Sequence, residues 1–206
     1  MNALAADSSA IRIGRPRVED APFRFFFIDN CLNAQLESDL LDWFETEAPW
    51  RLVETDFYEQ YEFSLLDVDL PESLRDLIDV RTLAAVRNAM SDAFGTHFDN
   101  RITLVAHKLI PGQRIAIHND LLDGEETHRL TIQLNRGLVD ADGGFFMLFN
   151  SPNAADIHKV FRPVSGMALG FEIGPDSHHA VSTVHGGERY TLVLSLYAEP
   201  QPLFPN

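Results

Sequence analysis

The sequence predicts an α+β fold that is mostly β, with a jelly-roll barrel after residue 100 and supporting helices before it. Eight short strand-like runs follow residue 100, and Pro-Gly, Asp-Gly or Gly-Gly pairs separate most of them. Helix-like windows occur only in the first hundred residues. Eight short strands at near-regular spacing are typical of a jelly-roll sandwich or barrel. A chain of 206 residues can build one such core without disulfides or structural metals.

The first hundred residues predict the supporting elements. In chain order these are a strand at 24–29, a helix from Asn33 to about Glu47, one or two strands within 50–66, a helix that begins at Pro71 and a helix at 80–94 that ends at Gly95. Asn33 precedes apolar residues at helical spacing, as a capping residue does. Proline suits the first turn of a helix, and glycine suits the position just after the last turn.

The second half predicts the barrel strands. Their ranges are 101–110, 114–120, 128–135, 144–149, 156–164, 166–173, 179–184 and 188–198. We expect one domain at 23–200, with helical support at about 32–95 and a jelly-roll core at about 100–198, between a loosely held arm at 1–22 and a tail at 201–206.

Charge and composition exclude several classes of partner. With 31 acidic and 16 basic residues, the net charge is −15, which repels nucleic acids and anionic membranes. A single cysteine, Cys31, permits neither an internal disulfide nor a cysteine-rich metal cluster. The N-terminus lacks a secretory pattern and no run approaches 18 apolar residues, so we expect a cytoplasmic protein. The sequence does not indicate the oligomeric state.

Two His-x-Asp triplets are candidate metal ligands. Residues i and i+2 of a strand point to the same face, so both side chains can bind one ion. Composition alone predicts about one His-x-acid triplet, so at least one of the two is expected to be coincidental. His97 and Asp99 follow directly after the helix that ends at Gly95 and are the weaker pair. His118 and Asp120 end a strand-like run, so we select them.

A longer motif at 179–191 is more specific. It reads HAVSTVHGGERYT and contains His179, Val181, Val184, Gly187, Arg189 and Thr191. A ligand at the end of one strand, glycines at the turn and a cation on the next strand would place Arg189 beside the metal. Arg189 and Thr191 share one face of their strand. His178 and His185 are the rival ligands, and the spacing of the motif selects His179.

On these residues the sequence resembles the Fe(II)/2-oxoglutarate-dependent oxygenases, in particular the prolyl-4-hydroxylase-like branch. The resemblance covers roughly residues 100–198 and also rests on Gly112, Arg129, Thr131, Leu134, Asn135, Gly143, Gly144, Pro163, Gly166, Leu169 and Phe171. The form HRLTIQLN…GGFFMLF is in addition similar to bacterial members encoded beside cyclophane-type peptide maturation enzymes.

The resemblance implies a fold, ligands and a reaction. The fold would be a double-stranded β-helix, the cupin-like form of the jelly roll. His118, Asp120 and His179 would bind Fe(II), and Arg189 with Thr191 would bind the far carboxylate of 2-oxoglutarate. With O2, the enzyme would hydroxylate an unactivated C–H bond of a peptide, a protein side chain or an amino-acid-like molecule, releasing succinate and CO2. The carboxylate of Asp120 favours hydroxylation or desaturation over halogenation.

The sequence departs from that branch at two positions. Tyrosines usually stand on the strand before the His-x-Asp triplet and on the Leu-Asn strand. Here the first neighbourhood holds His107, Lys108 and Leu109, and the second holds Gln133. Since Thr131 and Gln133 share one face of their strand, we expect either to take over a contact with 2-oxoglutarate.

Several alternatives stay open at this point. Arg129 either pairs with Asp123, Glu125 or Glu126 or belongs to the site. Phe57, Tyr58 and Tyr61 are candidates for a substrate lid, as is the segment 121–127. A cupin-like isomerase or dioxygenase that does not use 2-oxoglutarate, and a non-catalytic metal- or ligand-binding barrel, are the alternative functions.

Overall fold

The computed structural model describes residues 9–122 and 126–200. These residues form eleven strands and two α-helices. The strands are β1 (Phe25–Ile28), β2 (Arg51–Glu54), β3 (Glu59–Ser64), β4 (Phe98–Leu109), β5 (Ile115–His118), β6 (His128–Leu134), β7 (Phe146–Phe149), β8 (Ile157–Phe161), β9 (Ala168–Glu172), β10 (His179–Val181) and β11 (Arg189–Ala198). The α-helices are α1 (Ala34–Thr46) and α2 (Val80–Phe94), and 3₁₀ helices lie at Leu65–Asp67, Glu72–Leu77 and Asp140–Asp142.

Both α-helices begin and end as their sequences predict. The side chain of Asn33 accepts a hydrogen bond from the backbone N–H of Leu36 at 2.8 Å, which caps α1. Asp79 caps α2 in the same way, and Gly95 ends it in a left-handed conformation with φ of 68°. The buried faces of α1 and α2 pack on the large sheet and hold these helices in place.

The segment after Pro71 differs from the prediction. Pro71 precedes a 3₁₀ helix at Glu72–Leu77 instead of an α-helix. Asp79 already caps the next helix, so the intervening residues are too few for several α-helical turns. The two buried side chains, Leu74 and Leu77, are three residues apart, which matches the three-residue turn of a 3₁₀ helix.

Two antiparallel sheets form the barrel. The large sheet has the order β1-β9-β6-β11-β4-β3-β2, and the small sheet has the order β5-β10-β7-β8. The eight strands from β4 to β11 supply four neighbouring strands to each sheet. This is the arrangement of a double-stranded β-helix, so the predicted fold class is confirmed. Strands β1, β2 and β3 extend the large sheet beyond the barrel.

One face of the large sheet packs against the helices, and the other face lines the interior of the barrel. On β11, Tyr190, Leu192 and Leu194 belong to the core shared with the helices. The alternate residues of β11, including Arg189 and Thr191, point into the barrel because side chains alternate along a strand. A second apolar core lies between the sheets, beside the cavity that Arg189 and Thr191 line. Each fully buried large apolar side chain contributes roughly 1.5–3 kcal/mol through the hydrophobic effect.

The described part of the N-terminal segment packs more closely than the expected loosely held arm. Ala10, Ile11 and Ile13 are buried in the core shared with the helices. Residues 1–8 and the predicted tail at 201–206 lie outside the described residues. The division into an arm, one domain at 23–200 and a tail stays a prediction. No helix within residues 9–122 and 126–200 has the length and apolar character needed to cross a bilayer.

Candidate active site

Strand pairing brings the three predicted metal ligands together. His118 ends β5 and His179 begins β10, and the two residues are direct partners in the small sheet. Asp120 lies two residues after His118 and adopts a left-handed backbone conformation with φ of 60°. One ligand atom from each residue lies within 4.8 Å of the other two. Two histidines and one carboxylate are the donor set of mononuclear non-haem Fe(II) sites.

Backbone carbonyls fix which nitrogen each histidine presents. Nδ1 of His118 lies 2.9 Å from the carbonyl oxygen of Ala116, and Nδ1 of His179 lies 2.8 Å from that of Ser177. A carbonyl oxygen only accepts, so each Nδ1 carries the proton and each Nε2 keeps its lone pair. The Nε2 atoms lie 3.2 and 3.1 Å from the carboxylate oxygens of Asp120. A cation between these electron-rich atoms removes their repulsion, so the donor set fits a divalent metal ion.

Asp120 is held in its charged form. Burial alone would raise its pKa, but His179, Arg129 and His118 outweigh burial and hold the pKa well below the usual value. Burial lowers the pKa of His179 against the opposing influence of Asp120, which favours a neutral imidazole. An ionised carboxylate and a neutral imidazole are the states that bind a metal.

Arg189 is a buried cation with unused bonding capacity. It is 3% exposed, and its Nη1 donates to Oγ1 of Thr191 at 2.8 Å. Its Nη2 donates to Oε1 of Gln133 at 2.5 Å, while Nε has no hydrogen-bond partner among the residues that the structure describes. No carboxylate among the described residues forms an ion pair with it, and burial lowers its pKa to about 10, so it stays charged at neutral pH. A buried, unneutralised guanidinium is a binding site for an anion.

The residues around Arg189 explain part of the sequence pattern. Gln133, fully buried, orients the guanidinium, whereas Thr131 lines the cavity and donates to the carbonyl oxygen of Leu169 at 3.3 Å. Gly144 leaves room for the arginine, because a Cβ there would lie 2.9 Å from Cδ of Arg189. Thus Gln133 contacts the predicted anion-binding residue, and Thr131 faces the space beside it.

The candidate ligands and Arg189 share one cavity of about 280 Å³. Gln133 is absent from its lining, and the other predicted site residues all line it. His107 lines it as well, in register with Thr191 on the neighbouring strand. Burial, with help from Arg129 and Arg189, lowers the pKa of His107 to about 3, so its imidazole is neutral. Phe57 and Tyr58 line the cavity too, and the ring of Phe57 lies 4.9 Å from that of His118.

Other sequence candidates lie elsewhere. Asp99 pairs with Arg101 at 2.8 Å. Among the described residues, His97 and Asp99 do not belong to any cluster of three side chains that could bind one metal ion. His178 and His185 likewise belong to no such cluster in the described part of the chain. Tyr61 does not line the cavity, and Lys108 Nζ lies 5.8 Å from its ring. The predicted lid at 121–127 includes residues 123–125, which lie outside the described part.

Arg129 also contributes to the site, and sequence reasoning missed two further polar residues, Gln60 and Glu62. Arg129 donates from Nη1 to Oδ2 of Asp120 at 2.6 Å and also pairs with Glu126, so both open alternatives for Arg129 hold together. Gln60 and Glu62 line the cavity from β3. The alternation of EQYEFS was the available signal, since it places both polar side chains on the face opposite Tyr61 and Phe63.

Comparisons with known proteins identify the fold. No family model matches the chain, and no curated protein matches it. A prolyl-4-hydroxylase from Pseudomonas putida superposes with a TM-score of 0.69 at 16% identity, covering 85% of this chain and 93% of the other. A 2OG-Fe(II) oxygenase family oxidoreductase from Burkholderia pseudomallei gives 0.61 at 23% identity, covering 84% and 85%.

A third structure belongs to the same group. It is a prolyl hydroxylase from Trichoplax adhaerens in complex with a hypoxia-inducible factor peptide fragment. Its TM-score is 0.68 at 13% identity, and the match covers 84% of this chain and 83% of that one. The resemblance read from the sequence is thereby confirmed at the level of the fold. The chain has the double-stranded β-helix fold of the prolyl-4-hydroxylase-like 2-oxoglutarate oxygenases.

Proposed function

We propose that the protein is an Fe(II)- and 2-oxoglutarate-dependent dioxygenase that hydroxylates an unactivated C–H bond. Its substrate is a peptide, a protein side chain or an amino-acid-like molecule, and succinate and CO2 are the co-products. The observation that carries the proposal is the buried, unneutralised guanidinium of Arg189 in the same cavity as His118, Asp120 and His179. A metal-binding group and an anion-binding group side by side match a co-substrate that chelates a metal and carries a second carboxylate.

Each residue has a defined task in this proposal. His118, Asp120 and His179 bind the iron, which supplies the oxidative chemistry when bound. Arg189 pairs with the far carboxylate of 2-oxoglutarate, and its planar fork suits bidentate binding. Thr191 and Gln133 fix the orientation of the guanidinium. Arg129 donates a hydrogen bond to the carboxylate of Asp120 and thereby orients it towards the metal site.

The known structures of this fold support the proposal. Two of the neighbours are named prolyl hydroxylases, and one was solved with a peptide fragment. Phe57 and Tyr58 line the cavity of this chain and offer aromatic surface for a substrate. A barrel that does not use 2-oxoglutarate would leave the charge of Arg189 buried without a counter-ion, which disfavours the cupin-like and non-catalytic alternatives.

The test compares two ligands that share the 2-oxo acid group and differ only in the second carboxylate. We would load the protein with Mn(II) and measure calorimetric binding of 2-oxoglutarate and of 2-oxopentanoate, which lacks the second carboxylate. The proposal predicts that 2-oxoglutarate binds roughly 10- to 100-fold more tightly, as expected for charge-assisted hydrogen bonds. Arg189→Met should abolish that preference, and Thr191→Val should reduce it.

Arg162→Met is the matched control, because Arg162 pairs with Asp140 on the surface. This variant should keep the full preference for 2-oxoglutarate. Equal binding of the two ligands to the wild-type protein, or a preference that survives Arg189→Met, would refute the co-substrate assignment. Circular dichroism establishes that the Arg189 variant is folded before its affinity is interpreted.

A further inference from the structure

One side of the cavity presents the hydrogen-bond acceptors of Gln60 and Glu62, which accept from no described residue outside this pair. Gln60 and Glu62 lie on β3, and both line the cavity that holds the candidate metal ligands. Alternation along β3 sends Phe63 to the opposite face, where it packs in the core shared with the helices. Burial of Phe63 on one face of β3 leaves Gln60 and Glu62 on the other face, towards the cavity.

Gln60 has an unmet acceptor although it is almost completely buried. It is 2% exposed, and its Nε2 donates to Oε2 of Glu62 at 2.8 Å. Its Oε1 has no hydrogen-bond partner in the described part of the chain. Rotating the amide by 180° would place the carbonyl oxygen against the carboxylate of Glu62, so the contact with Glu62 fixes the orientation. A buried carbonyl oxygen without a partner carries a desolvation cost that a ligand donor would remove.

Glu62 brings a negative charge to the same place. Its nearest basic group among the described residues is Nε2 of His107 at 3.8 Å. That distance exceeds a hydrogen bond, and burial lowers the pKa of His107 to about 3, so the imidazole carries no charge. Glu62 thus lies at the cavity, and no lysine or arginine among the described residues forms an ion pair with it, although Arg51 is its cross-strand partner on β2. A carboxylate in such a position attracts a cation.

The position of Glu62 separates it from the co-substrate site. Glu62 pairs with His107 in register, and His107 pairs with Thr191. Glu62 is therefore two strands, or about 10 Å, from Thr191 across the sheet. A carboxylate would repel dianionic 2-oxoglutarate, so Glu62 serves the other ligand of the cavity, the substrate. Phe57 and Tyr58 line the same space and offer ring faces on which a planar cation can stack.

We propose that Gln60 and Glu62 bind a positively charged N–H donor of the substrate, and that the guanidinium of an arginine residue is the group that fits. A guanidinium carries five donors in one plane, so it can serve the carbonyl of Gln60 and the carboxylate of Glu62 together. This assignment rests on the proposed oxygenase function for its meaning as a substrate site. Cation binding by Gln60 and Glu62 requires neither the metal nor 2-oxoglutarate, so it can be tested separately from the oxygenase function.

The test uses two probes of equal shape and different charge. N-acetyl-L-arginine amide and N-acetyl-L-citrulline amide would be titrated by calorimetry into the full-length protein, first loaded with Mn(II) and 2-oxoglutarate and then free of both. We expect the arginine probe to bind at least about tenfold more tightly than the citrulline probe. Glu62→Gln should remove that preference, and Gln60→Met should reduce it severalfold.

Glu72→Gln is the matched control, because it removes one negative charge from an exposed position outside the cavity. The control should keep the preference for the arginine probe. Equal binding of the two probes to the wild type, or a preference that survives Glu62→Gln, would overturn the inference. If 2-oxoglutarate fails to bind in the presence of Mn(II), the proposed function is refuted. The preference of the unloaded protein for the arginine probe still tests the role of Gln60 and Glu62 in that case.

Discussion

Arg129 and Asp120 form a close ion pair, in which Nη1 of Arg129 donates to Oδ2 of Asp120 at 2.6 Å. Arg129 lies at the start of β6 in the large sheet, whereas Asp120 follows β5 of the small sheet. The pair therefore links the two sheets at the candidate metal site. Glu126 binds the same guanidinium, which keeps the arginine in place. The pair orients a carboxylate that stands in a left-handed backbone conformation.

Arg129→Met is expected to weaken metal binding. Without the guanidinium, the carboxylate of Asp120 loses its orienting partner, and changes of this kind typically lower metal affinity by roughly 10- to 100-fold. The measurement is Mn(II) affinity by electron paramagnetic resonance. Arg136→Met, which removes an ion pair with Glu45 on the surface, should leave the affinity unchanged. Equal affinities of wild type and Arg129→Met would contradict the role of the pair.

Gly144→Ala is expected to impair 2-oxoglutarate binding through Arg189. Gly144 has φ of 70°, and its added Cβ would lie 2.9 Å from Cδ of Arg189. Gly95→Ala is the matched control, since Gly95 has φ of 68° and its Cβ would meet no atom within 4 Å. Both variants should lose roughly 1 kcal/mol of stability from the left-handed backbone. Only Gly144→Ala should bind 2-oxoglutarate less tightly, and equal affinities in the two variants would contradict the contact.

Gln133→Glu is expected to neutralise Arg189 from within the protein. The substitution keeps the size of the side chain and replaces the amide oxygen that accepts from Nη2 by a carboxylate. The new ion pair competes with the co-substrate, so the dissociation constant of 2-oxoglutarate should rise at least about tenfold. Thermal stability should not fall, because the buried charge gains a partner. Gln35→Glu, at an exposed position of α1, is the control, and an unchanged dissociation constant in Gln133→Glu would count against the account.

His128 is expected to make the protein less stable in mild acid. It packs between Phe94 and Phe98, and its Nε2 has no hydrogen-bond partner within residues 9–122 and 126–200. Burial, with a smaller effect of Arg24, lowers its pKa from 6.5 to about 4. Between these two values the unfolded chain binds the proton and the folded protein does not, so stability falls as the pH drops from about 6.5 towards 4.

The comparison uses wild type and His128→Leu in urea at pH 7 and pH 5. Linkage predicts that the wild type loses roughly 2 kcal/mol more than the variant over this interval. Equal losses in the two proteins would show that His128 is protonated as easily when folded as when unfolded. The variant keeps a buried apolar side chain between the two rings, which limits any loss of packing.

The fold was predictable because its signals are local. Turn pairs separate the strands of the barrel, and Asn33 and Gly95 mark helix ends by backbone chemistry that acts within a few residues. The helix expected after Pro71 forms as a short 3₁₀ helix, because Asp79 begins the next helix so soon afterwards. The segment 1–22 is rich in polar and charged residues, and the burial of Ala10, Ile11 and Ile13 within it depends on a core built by distant residues.

The candidate site was predictable where its motif is compact. His118 and Asp120 lie two residues apart, and His179 and Arg189 are joined by one turn, so strand alternation alone suggests that they converge. The contributions of Gln60 and Glu62 depend instead on the pairing of β3 with β4 across more than forty residues. The sequence shows which residues of β3 share a face, and only the structure shows that this face adjoins the cavity.

The most direct test of the central claim is an anaerobic titration of the metal-free protein with Fe(II) and then 2-oxoglutarate. The readout is the visible charge-transfer absorption of the iron complex with 2-oxoglutarate. The account predicts that this band appears in the wild type, is absent in His179→Ala and requires far more 2-oxoglutarate in Arg189→Ala. Iron binding to the wild type without the band at any concentration of 2-oxoglutarate would contradict the claim that this cavity holds both the metal and the co-substrate.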